Sequence, residues 1–237
     1  MQEKPTSQDD PSLITIIVFV VTLLLLVQKN YFVFYKARVI ILILILTSLT
    51  AFLTIEIFII PFVIASCLFG YLEIVDRVLW KHPLFSWMFT TDDFSGTYEG
   101  IQENLVMKQF KNNIEDGVVF KEYKEHLTLK LIIEQTGSAI KASFFYYDTK
   151  SDKSSKLENT QVTISKTADD QHYLLTCLYG EIGVLENGGH HETMVLKYIV
   201  DGGECRLEGG SYDNRKIQAR GKFIDLKKVS SDKIHPF

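Results

Sequence analysis

The residues best equipped for chemistry in this chain are a few arginines set among many tyrosines. Beyond Asp92 the arginines are Arg206, Arg215 and Arg220, and the tyrosines include Tyr98, Tyr146, Tyr147, Tyr173, Tyr179, Tyr198 and Tyr212. A guanidinium forms bidentate hydrogen bonds to phosphate, and an aromatic face stacks on a base or a cation. Arg206 and Tyr212 are six residues apart, so on one strand they share a face, with Glu208 and Gly210 between them. Arg220 falls on the next strand. Tyr98, Arg206, Tyr212 and Arg220 are therefore the candidate ligand-binding residues. The competing reading turns the arginines to solvent and makes Tyr98 packing at the barrel floor.

Other constellations carry less. In His190-His191-Glu192 only His190 and Glu192 share a strand face, and no third ligand follows at a useful spacing, so a solvated strand start is expected. Glu181 and Glu186 flank a loop and read as solvated. Cys67, Cys177 and Cys205 lack CxxC or CxxH spacing and read as reduced structural thiols, although a Cys177–Cys205 disulfide is conceivable. No nucleophile elbow, Walker loop or HExxH occurs. The expectation is a binding protein, not an enzyme, with no cofactor and no metal.

These residues must be positioned by two very different halves of the chain. Between Leu13 and Leu72 the charged residues are Lys29, Lys36, Arg38 and Glu56. Such a stretch reads as a membrane region over residues 13–72, after a tail at residues 1–12, with spans at about 13–30 and 38–60. Tyr31, Phe32, Phe34 and Tyr35 form an aromatic belt. Residues 57–72 extend the second span, form a third, or lie at the interface. Glu56 is either a helix-contact or pore-lining acid, or the interface end of its span. Lys29, Lys36 and Arg38 favour a cytoplasmic loop between the spans, and a third span would return the following domain to the cytoplasm.

A linker at residues 73–93 leads to a domain at residues 94–230, closed by a tail at 231–237. From Phe94 onward there are 19 Lys+Arg against 21 Asp+Glu, which speaks against duplex nucleic acid as a partner. Period-two patterning predicts eight strands: Thr97–Met107, Tyr123–Gln135, Ala139–Asp148, Leu157–Lys166, His172–Glu181, His191–Val200, Glu204–Tyr212 and Lys216–Lys227. Thr136-Gly137-Ser138 and Asp201-Gly202-Gly203 read as tight hairpin turns, Asn187-Gly188-Gly189 as a loop, and Thr149–Lys156 as a polar loop. The fold class expected is N-terminal transmembrane α-helices followed by an all-β, eight-stranded antiparallel up-and-down β-barrel. An aligned β-sandwich is its main competitor.

Two membrane spans, then Gly96-Thr97-Tyr98-Glu99-Gly100, then a meander closing on Leu207–Tyr212 and Arg220-Gly221-Lys222-Phe223, resemble a known group. They are similar to the two-transmembrane, β-strand-rich effectors of bacterial cyclic-oligonucleotide antiphage signalling (CBASS). The resemblance implies a cytosolic barrel that binds a cyclic di- or trinucleotide and drives homo-oligomerisation. It implies that the spans then disrupt the inner membrane, killing the infected cell. It places the protein in the bacterial inner membrane as a multi-pass protein, with lipid bilayer, nucleotide and further copies of itself as partners. The alternatives are a membrane-tethered lipocalin-like barrel holding an apolar ligand, and a scaffold with a filled barrel.

Overall fold

The computed structural model describes residues 31–53, 59–111, 118–150, 152–158, 161–181, 190–213, 220–233 and 236. They fall into two compact units, one holding residues up to Asp93 together with Gln135–Ala139, the other Phe94–Glu134 and Ile140–Phe237.

The first unit contains α1 (Ala37–Leu53), α2 (Ile59–Ile74), a π-helical turn over Val75–Leu79, and the short α3 (Pro83–Ser86). α1 is predominantly apolar and has no polar face, and Thr47 is satisfied internally by donating to the Ile43 carbonyl at 2.6 Å. Proline at the first position of α3 costs no hydrogen bond, and the His82 ring accepts from the Leu84 amide. Tyr31, Tyr35, Val39, Leu72, Val75, Trp80, Met88 and Phe89 form the core of this unit. The hairpin turn Gln135–Ala139 joins it: the Gly137 amide donates to the Asp76 carbonyl at 2.9 Å, and the Ser138 hydroxyl to the Asp76 carboxylate at 2.9 Å.

The expectation of transmembrane helices is not met. Among the described residues no helix is long and apolar enough to cross a membrane. The described helical stretches, 17 residues in α1 and 16 in α2, rise about 25 Å, short of a hydrocarbon core of about 30 Å. The expected second span ends its described helix at Leu53, and the apolar segment at 57–72 is largely α2. The expected first span at 13–30 and Glu56 lie outside the described residues.

The second unit is a sheet of nine antiparallel strands among the described residues, in the order β4-β3-β2-β1-β9-β8-β7-β6-β5. The strands are β1 (Gly96–Lys111), β2 (Val118–Gln135), β3 (Ile140–Asp148), β4 (Lys153–Glu158) and β5 (Gln161–Lys166), followed by β6 (Tyr173–Glu181), β7 (His190–Asp201), β8 (Glu204–Asp213) and β9 (Arg220–Ser230). β4 and β5 occupy opposite ends of that order, yet residues 158 and 161 are three Cα steps apart, about 11 Å at most. The sheet must therefore curl back on itself, and it does so as a half-barrel with two edges, not as the closed eight-stranded barrel expected.

The ninth strand comes from splitting the expected Leu157–Lys166 in two and from β4 reaching back into the expected polar loop. A strand paired on one side only, as β4 is with β3, tolerates the charged and small residues Lys-Ser-Ser-Lys that hide its period. The expected start of the last strand at Lys216 and the loop Asn187-Gly188-Gly189 lie outside the described residues. The interior is packed by Phe144, Leu129, Leu131, Leu175, Met194, Leu196 and Leu207, each at most 1% exposed. Phe144 meets the rings of Tyr179 edge-on at 5.5 Å and Phe223 at 6.2 Å.

Candidate functional site

Tyr98 and Leu207 are buried in the half-barrel, and alternation carries that inward parity along their strands. From β1 it brings in Gln102 and Asn104, and from β8 Ser211 and Asp213. Register then aligns neighbours. Gly221 of β9 pairs with both Asn104 and Ser211, and Glu192 of β7 pairs with Asp213. Four adjacent strands thus present one contiguous polar row.

This row walls a cleft of about 140 Å³, completed by Leu127, Tyr146, Ser155 and Arg220. Gly221 is needed for the close approach, since a Cβ there would stand 2.5 Å from both Gln102 Nε2 and Ser211 Oγ. Gln102 is 4% exposed. Its Nε2 donates to Asn104 Oδ1 at 2.6 Å and to Ser211 Oγ at 3.3 Å, while its Oε1 is buried without a hydrogen-bond partner. An orphaned buried acceptor is costly, and a donor supplied by a ligand would satisfy it.

The charged residues of the lining are Glu192, Asp213 and Arg220. The surrounding phenols and thiol stay neutral. Burial raises the Tyr146 hydroxyl well above the ordinary tyrosine range, with the Glu192 charge adding to it, and it raises Tyr179 likewise. Burial also pushes the Cys177 thiol up to about 12, so this cysteine is unreactive at neutral pH. All three cysteines are free. Among the described residues no group of three His, Cys, Asp or Glu could hold a metal ion.

The residues expected from sequence are distributed differently. Tyr98 is fully buried in the half-barrel and its hydroxyl donates to the Phe94 carbonyl at 2.8 Å. Arg206 lies on the outward parity of β8, where its Nε is 3.1 Å from Glu208. Tyr212 has the same parity and is 57% exposed. Arg220 pairs with Tyr212 across β8 and β9, is itself exposed, and borders the cleft. The sheet thus brings Tyr212 and Arg220 together and leaves Arg206 beside Lys227. Sequence reasoning missed Gln102, Asn104, Ser211 and Asp213. The usable signal was parity with Tyr98 and Leu207, which puts those polar residues on the buried face.

Comparison with known proteins returns no match to any family model, any curated protein or any solved structure.

Proposed function

We propose that this protein is a ligand-triggered effector of antiphage defence. Its half-barrel takes a cyclic di- or trinucleotide, and the liganded form self-associates at the cytoplasmic face of the bacterial inner membrane. The apolar helical unit then disturbs the bilayer and the infected cell dies. The observation that carries the reading is the Gln102 cleft: a polar recess inside a β half-barrel, with a buried acceptor awaiting a donor. Arg220 at its border is suited to a phosphate. A cavity of about 140 Å³ takes one such group, since a whole drug-sized ligand needs ~300 Å³ or more.

Lipid association is supported by Ile41, Leu42, Ile45, Leu46 and Leu49 of α1, which are 46–59% exposed. An apolar surface of this extent is unusual on a free soluble protein. The reading asks α1 and α2 to associate with lipid, not to cross it. Coupling requires the assembled form to bind nucleotide more tightly than the single chain does.

The test uses the full chain in lipid nanodiscs, titrated calorimetrically with cyclic di- and trinucleotides, and dye-loaded vesicles of phosphatidylethanolamine and phosphatidylglycerol. Saturable binding and nucleotide-dependent leakage are expected. Binding of fatty acid with no response to any nucleotide would replace this reading with a lipid-carrying barrel.

A further inference from the structure

The wall of the cleft offers acceptors. Gln102 lines the cleft and spends its two amide protons on Asn104 and Ser211, which leaves its buried Oε1 without a partner. Asp213 and Glu192 stand directly opposite one another on β8 and β7. An ionised carboxylate accepts only, and its two oxygens offer about four lone-pair sites, so each can take a ligand proton whatever else it bonds. The lining also holds donors in Asn104, Ser155, Ser211 and Arg220, but a group that satisfies Gln102 Oε1 and the two carboxylates must bring N–H or O–H donors.

We propose, on the nucleotide reading above, that the cleft is a base-selective pocket for the Watson–Crick edge of guanine. Guanine carries two neighbouring donors there, its N1–H and its N2 amino group. Adenine and cytosine present a ring-nitrogen lone pair beside their amino group, which would face Gln102 Oε1 or a carboxylate and repel it. Uracil has one N–H between two carbonyls, again acceptor against acceptor. A site built from buried hydrogen-bonding groups rejects the ligand that leaves them unpaired. The cavity's size fits one base entering while the phosphates stay outside, near Arg220. Base selection therefore comes from neutral and acidic residues, and the arginine adds charge at the border.

The experiment is calorimetric titration of the full chain in nanodiscs with cyclic di-GMP, cyclic di-AMP and agmatine, repeated on Asp213→Asn and Glu192→Gln. Glu192 is only half-buried, so its variant keeps the test open if Asp213→Asn fails to fold. Cyclic di-GMP is expected to bind about 10- to 100-fold tighter than cyclic di-AMP, with that preference shrinking in either variant. Equal binding of the two nucleotides, or a preference that both folded variants retain, overturns the guanine assignment and leaves the nucleotide reading standing. Agmatine binding as tightly as cyclic di-GMP also overturns it, because negative charge alone would then account for the site. Binding of neither cyclic di-GMP nor cyclic di-AMP, with a cyclic nucleotide that lacks guanine bound instead, overturns this assignment alone. No nucleotide binding at all overturns both readings.

Discussion

The Tyr98 hydroxyl is spent on the Phe94 carbonyl inside the half-barrel, so its removal is a stability experiment and not a binding one. Tyr98→Phe removes this buried hydrogen bond and is expected to lower unfolding free energy by about 1 kcal/mol, with nucleotide affinity unchanged. Urea unfolding and calorimetry on the same preparation check the two halves of that statement. Asp76 gives the opposite sign. It is 5% exposed, and desolvation raises its carboxyl above the ordinary aspartate value, against the lowering effect of the Ser138 and Thr136 hydroxyls. A raised acid holds its proton more tightly folded than unfolded. Its favourable contribution is thus complete below the unfolded value of about 4 and is lost as pH rises through the raised folded value. Asp76→Asn removes this titration, so the variant's stability should fall less between pH 4 and pH 7 than that of the natural chain. Denaturant midpoints across that range measure it, and parallel curves for the two proteins would refute the assignment.

At the scale of elements, the pairing of β8 with β9 is irregular between Leu207 and Gly209, where β9 advances three residues to two on β8, while β7 pairs with β8 in unbroken register. A Cβ on Gly209 would come 1.9 Å from the Val195 carbonyl oxygen, a backbone atom that no rotamer change can move aside. Gly209→Ala is expected to cost about 1–3 kcal/mol, read as a lower urea midpoint with an unchanged slope. Elements like this pair were legible in the sequence because both strands are half-buried and alternate. Asp201-Gly202-Gly203 marks their turn, with positive φ at both glycines. Ile140, Ala142, Phe144 and Tyr146 were legible for the same reason and are all buried. β4 was not, since an edge strand paired on one side has no second neighbour to demand a hydrophobic period. The cleft was the least legible feature. Gln102 and Asp213 look like solvent-facing residues until the parity of Tyr98 and Leu207 is followed through the sheet, and the arginines drew attention to the outer face instead.

For the molecule as a whole, the open question is what the helical unit does with its exposed apolar surface. Ile41, Ile45 and Leu49 are spaced by four along α1 and are 54%, 59% and 51% exposed, so they form one continuous stripe. Water is a poor solvent for such a stripe, and Lys36 and Arg38 at its N-terminal end would meet anionic headgroups. If lipid covers it, each of the three side chains contributes on the order of 1 kcal/mol of transfer free energy, and together about 3 kcal/mol, or roughly 100-fold in membrane partitioning. Replacing all three by serine should therefore move the protein from the lipid fraction to the aqueous fraction when floated with phosphatidylethanolamine–phosphatidylglycerol vesicles. Nucleotide binding should persist, because the cleft residues belong to the other compact unit. Leakage should fall with partitioning. A variant that still floats fully would show that α1 is covered by protein, and one that leaves the membrane yet leaks vesicles undiminished would sever the helical unit from the output altogether.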